Sequence, residues 1–126
     1  MNGVLLKGAS GFEYFYTPYP FAGMRWHADP ANYAFAFLDE EEQWRLVYIG
    51  ETESLFHRLR GHAQWPAAQR LGCTHVLVNL NPSGQRVRRA EEQDLIARYQ
   101  PVLNTQHLKP SRPRLKRMGY YPQGWG

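Results

Sequence analysis

Cysteine is nearly absent from this 126-residue chain. The single Cys73 excludes an intramolecular disulfide framework and any zinc centre that needs a cysteine pair. Long apolar runs are missing too. Tyr33 to Leu38 is the longest apolar-aromatic stretch, far short of the roughly 20 residues that cross a bilayer. The Met1–Lys7 start offers only Val4, Leu5 and Leu6 as apolar residues, which is not the pattern of a secretory leader. No membrane association is expected, and the cytoplasm is the expected compartment. Neither internal repeats nor low-complexity tracts occur. The length fits one domain and is too small for a two-domain enzyme. Hydrophobic residues at 43% and charged residues at 21% exclude a disordered or collagen-like chain.

Acidic residues are absent from the last 22 positions, and that absence locates the net charge of +4. Residues 1–104 hold ten Lys and Arg against eleven Asp and Glu, a near-neutral body. Residues 105–126 hold Lys109, Arg112, Arg114, Lys116 and Arg117 with no acid, and Pro110, Pro113 and Pro122 rule out one continuous helix there. The basicity belongs to a Pro-containing tail. It suits either a polyanion such as nucleic acid or a solvated solubility segment.

Three regions follow. Residues 1–31 carry Phe12, Tyr14, Phe15, Tyr16, Tyr19, Phe21 and Trp26, interrupted by Pro18, Pro20 and Gly23. The stretch reads as an aromatic extension, a strand and loop packed over the core, with a base-stacking platform as the alternative. Residues 32–104 form the body. Tyr33–Leu38 alternates large and small side chains, and Trp44–Ile49 is rich in aromatic and β-branched residues, so both read as strands joined by the polar turn 39–43. Thr52 is the expected N-cap of a helix to about His62 that buries Leu55, Phe56 and Leu59 and sets Arg58 and His62 along one margin. A short helix opens at Pro66 and ends at Gly72. Thr74–Leu80 reads as a third strand, and a last helix runs from about Gln85 to Tyr99, stopped by Pro101. On that helix Glu92 falls near the centre of the apolar stripe of Leu95, Ile96 and Tyr99, with Glu91 near its edge. A carboxylate aimed inward must be paired, protonated or bound to a cation. Arg88, at i,i+4, is the alternative partner to a metal.

A tyrosine at a strand end, an arginine and histidine one turn apart, and an inward glutamate are the residue types a phosphodiester cleavage site needs. Arginine offers a planar fork to phosphate oxygens. A single carboxylate can hold Mg²⁺, which completes its shell with water and phosphate. The metal, a tyrosine or a histidine can activate water.

The order and spacing resemble the GIY-YIG nuclease superfamily over residues 32–104. The blocks are Tyr48-Ile49-Gly50, then Ser54-Leu55-x-x-Arg58-Leu59-x-x-His62, then Glu92-x-x-Leu95-Ile96-x-x-Tyr99-x-Pro101-x-x-Asn104. The resemblance implies an α/β (α+β) domain with a three-stranded antiparallel sheet flanked by helices, in the order β-β-α-α-β-α. It implies a Mg²⁺- or Mn²⁺-dependent endonuclease whose partner is nucleic acid, with DNA favoured, working as a monomer or transient dimer. By position, Tyr48 resembles the tyrosine beside the attacking water, Arg58 the phosphate clamp, and His62 a histidine that positions or deprotonates the catalytic group. Glu92 corresponds to the metal-ligating glutamate and Asn104 to an asparagine that braces the site. Lys109, Arg112 and Arg114 in the tail are expected to contact phosphates. Two departures stand out. Phe35 takes the place of the family's first tyrosine, for which Tyr33, on the same strand face, is the substitute, and Glu51 takes a place that is basic in many members. Both leave a catalytically weak or inactive nucleic-acid-binding module of the same fold as the alternative.

Overall fold

The computed structural model describes residues 3–104. Lys109, Arg112 and Arg114, like the rest of the basic tail, lie outside the described residues. The centre of the fold is the hairpin of β3 (Ala31–Leu38) and β4 (Trp44–Thr52). Its turn is organised by Asp39, whose carboxylate accepts the Glu41 and Gln43 N–H groups at 2.8 and 2.9 Å and Arg45 Nε–H at 2.6 Å. The acidic run is a solvated turn, as its composition suggests.

Five antiparallel strands, in the spatial order β1-β2-β5-β3-β4, make one curled, half-barrel sheet. This corrects the expected three-stranded sheet and the order β-β-α-α-β-α: along the chain the order is β-β-β-β-α-α-β-α. The two extra strands are β1 (Val4–Lys7) and β2 (Glu13–Pro20), drawn from the segment expected to pack over the core. Pro18 and Pro20 argue against a strand there, because proline cannot donate to a ladder. The register resolves the conflict. Phe21 N–H bonds to the Thr74 carbonyl at 2.9 Å, ahead of β5 (His75–Leu80). Alternate amides of a strand point the same way, so the positions of Pro18 and Pro20 face away from β5. β1 pairs only with Glu13–Tyr16, so no neighbour asks those two prolines for a hydrogen bond.

Both sheet faces are covered. On one, α1 (Leu55–Leu59) and α2 (Trp65–Arg70) pack Leu55, Leu59 and Ala68 against Tyr33, Phe35, Val76 and Val78. On the other, α3 (Gln85–Tyr99) lays Leu95 against Tyr16, Ala34, Ile49 and Leu77. Each large side chain buried this way contributes roughly 1.5–3 kcal/mol of transfer free energy. The first helix is shorter than expected. β4 continues through Thr52, Ser54 caps α1 by accepting His57 N–H at 3.3 Å, and Gly61 breaks the path at φ 66°. His62 therefore lies in the turn after the helix. Among the described residues no helix is long and apolar enough to cross a membrane.

Candidate active site

A register shift in the β3–β4 ladder decides where Tyr48 points. Phe35 pairs with Tyr48 and Ala36 with Leu46, which leaves Val47 as an extra, bulged residue. Simple alternation from Trp44 and Leu46 would send Tyr48 to the α3 face. The bulge reverses the parity, and Val47 and Tyr48 both pack on the α1/α2 face with Tyr33 and Phe35.

Tyr33, Arg58 and His62 meet on that face. The Tyr33 hydroxyl lies 2.8 Å from His62 Nε2 and accepts Arg58 Nε–H at 3.1 Å. His62 Nδ1 accepts the Gln64 backbone N–H at 2.9 Å, so in the neutral imidazole the proton sits on Nε2 and is donated to Tyr33. His62 is only 3% exposed, and burial, assisted by the Arg58 charge, holds its pKa down to about 4. The imidazole is neutral near pH 7 with both nitrogens engaged. It orients Tyr33 and has no lone pair free to take a proton from water. Burial also moves the Tyr33 phenol upward from its usual range. With two donors on its oxygen, Tyr33 can only donate its remaining proton outward.

Arg58 is exposed and spans two hydroxyls, Tyr33 and, at the 3.5 Å limit, Tyr48. Among the described residues two of its five N–H groups are used, which leaves three without a partner there. Half-buried Tyr48 supplies the hydroxyl that solvent can reach. Phe35, fully buried, packs edge-on against the His62 ring at 4.8 Å.

Glu92 is half-buried and has no hydrogen bond or ion pair among the described residues. Burial, reinforced by the nearby Glu51 carboxylate, raises its pKa to about 7, while Arg89 and Arg58 act in the opposite direction. The charge of Glu92 is felt at Tyr33 on one sheet face and at Tyr16 on the other, and the Arg58 charge is felt at Glu92. An oxygen ligand with no partner among the described residues fits a hard divalent cation that keeps most of its shell as water and phosphate. No group of three or more His, Cys, Asp or Glu side chains able to hold a metal exists among the described residues, so a metal here would have Glu92 and at most one more such side chain from them.

The expected alternative partner is engaged elsewhere. Arg88, 3% exposed, pairs with Glu51 at 3.0 Å and donates to the Asn81 carbonyl at 3.1 Å. Glu51 is paired with Arg88 and approached by Arg89 at 3.6 Å. The most buried carboxylate of α3 is Glu91, not Glu92. Glu91 accepts from the Tyr16 hydroxyl at 2.6 Å, Asn79 at 2.9 Å and Asn81 at 3.3 Å. Its hydrogen bonds are satisfied internally, and it fastens α3 to the sheet. The period of the helix put Glu92 at the stripe's centre; the side chains actually buried are Arg88, Glu91 and Leu95, a face turned toward polar partners of the sheet.

Asn104 is a brace. Its side chain accepts Ile49 N–H at 2.8 Å and donates to the Ile49 carbonyl at 2.9 Å, filling the outer edge of β4 next to Tyr48. No sequence signal foretold the Glu51–Arg88 pair or the network in which Tyr16 meets Glu91 and Asn32 meets Asn81, because these join residues far apart in the chain. Comparison with family models, curated proteins and solved structures finds no match to the chain.

Proposed function

We propose that the protein is a metal-dependent endonuclease that hydrolyses phosphodiester bonds of nucleic acid, DNA in the first instance, at the Tyr33–Tyr48–Arg58–His62 cluster. The observation that carries this reading is an exposed arginine bonded to two tyrosine hydroxyls, whose charge is felt by a half-buried glutamate with no hydrogen bond or ion pair among the described residues. The three remaining N–H groups of Arg58 match two phosphate oxygens in a fork and would bind more tightly as charge builds on the phosphorane. His62 and Arg58 fix the Tyr33 hydroxyl so that its proton points outward. Tyr48 is placed to orient a water at the phosphate. Mg²⁺ or Mn²⁺ held by Glu92 would supply Lewis-acid stabilisation and acidify bound water.

On this reading Tyr33, bonded to His62 and Arg58, takes the place of the hydroxyl absent from Phe35, and Arg88 pairs with Glu51. The resemblance to GIY-YIG nucleases, with the basic residues 105–126 adding non-specific attraction to phosphate, supports the same reading. Incubating the full chain with supercoiled, linear, branched and single-stranded substrates plus Mg²⁺ or Mn²⁺ tests it. Strand scission that EDTA abolishes is expected. Salt-sensitive binding without scission in either metal would contradict it and leave a non-catalytic binding module of nucleic acid.

A further inference from the structure

His62 forms part of two walls. Its ring bonds to Tyr33 in the Tyr33–Arg58 cluster, and the residue also lines an open concavity of about 850 Å³ between the segment after β2 and the α1–α2 turn. Phe21 and Trp65 stack there at 3.8 Å and 14°, and Trp26 stands 6.5 Å from Phe21 at 48°. Phe21, Trp26 and Trp65 are only half-buried and Phe56 is exposed, so aromatic surface is left facing the hollow. The charged and titratable lining consists of Arg25, Arg60, His27 and His62, with no carboxylate. Arg60 is held over the Phe56 ring at 5.0 Å. Aromatic planes rimmed by cations suit a flat ring that carries an anion, and the smallest such unit in a nucleic acid is one base with its phosphate.

We infer that this concavity receives an unpaired nucleobase of the substrate strand, with Arg25 and Arg60 on its flanking phosphates, next to the phosphate presented to Arg58. The inference rests on the nuclease reading and narrows it to substrates with a single-stranded, mismatched or bulged nucleotide. A base still stacked in a duplex must first be unstacked at a cost of a few kcal/mol, whereas an unpaired one is free to enter. The neighbouring hollow of about 500 Å³ shares Met24, Arg25, Trp26 and His27 with this one and differs from it in carrying the Asp29 carboxylate.

Binding of the full chain, measured by fluorescence anisotropy without divalent metal, tests it on three probes: a duplex, the same duplex with one bulged nucleotide, and the bulge made abasic. The bulged probe is expected to bind about tenfold more tightly than the other two, the scale of one base–aromatic stack. Trp26→Ala and, at an exposed site, Phe56→Ala should bring the ratio of bulged-probe to duplex affinity close to one. Separately, dAMP should quench tryptophan fluorescence of the wild type where deoxyribose 5-phosphate does not. Equal affinity for the bulged and abasic probes would overturn the inference, as would variants that weaken all probes alike, or no binding to any probe. Base-dependent binding without hydrolysis in Mg²⁺ or Mn²⁺ would uphold the pocket and refute only the nuclease reading.

Discussion

Gly50 lies directly opposite Tyr33 in the β3–β4 ladder, and a Cβ in its place would stand 2.6 Å from both the Cζ and the hydroxyl oxygen of Tyr33. The glycine is there for the close approach of the phenol, which must lie across β4 to reach His62 and Arg58. Gly50→Ala should therefore push Tyr33 off both partners. We expect a loss of about 1–3 kcal/mol in stability, the usual cost of overpacking, and a fall of more than tenfold in scission. Denaturant unfolding and a nicking assay check this. Wild-type nicking by a folded Gly50→Ala protein would separate Tyr33 from the chemistry.

His62 makes stability depend on pH with a definite sign. Its folded pKa of about 4 lies below the unfolded value of about 6.5. Above pH 6.5 neither state takes the proton. As pH falls from about 6.5 to 4, the unfolded chain binds a proton that the folded chain refuses, so stability drops by as much as ~3 kcal/mol and then levels. His62→Gln should flatten that window in chemical denaturation curves. An unaltered pH dependence would place the His62 titration elsewhere.

Glu92 runs the other way. Its folded pKa, raised to about 7 by burial and Glu51, exceeds the ordinary carboxyl value. Its contribution to stability is present below about pH 4.5 and is lost as pH rises through 7. A divalent cation favours the ionised form, so Mg²⁺ should lower the midpoint and release a proton. Side-chain carboxyl NMR of Glu92 with and without Mg²⁺ measures both. Glu51→Gln should lower the midpoint without metal, because it removes the nearby like charge.

The Arg88–Glu51 pair is the buried charge pair that holds α3 beside β4. Removing one partner strands the other, and Arg88→Met alone should cost about 3–5 kcal/mol. The double variant Arg88→Met/Glu51→Gln should cost less than the sum of the single changes, a coupling that a double-mutant cycle reads. Strict additivity would mean that the two side chains do not depend on each other.

Local signals in the sequence carried most of the body. The hydrophobic periods of β3, β4, β5 and α3, the Asp39 turn and the Pro66 start of α2 were legible because each depends on neighbouring residues. The sheet's true width was not, since Pro18 and Pro20 read locally as breakers and only the pairing of β2 with β5 shows that their missing donors face no neighbour. Arg58, His62 and Tyr48 were legible as a spaced pattern, yet the Val47 bulge that aims Tyr48 leaves no mark on composition. The wheel position of Glu92 overlooked Glu91, because burial along α3 follows its polar partners Tyr16, Asn79 and Asn81 and not the apolar stripe alone.

The account stands most directly on Glu92→Gln, which keeps the size and neutral polarity of the side chain and removes its charge. With supercoiled or bulged DNA in saturating Mg²⁺ or Mn²⁺, the variant should lose scission by about 10²-fold or more, on the scale of removing one charge-stabilising group from an active site. Its affinity for the same DNA without metal should stay within a few-fold of the wild type. Scission at the wild-type rate by Glu92→Gln would contradict the assignment of this carboxylate and the metal-dependent hydrolysis built on it.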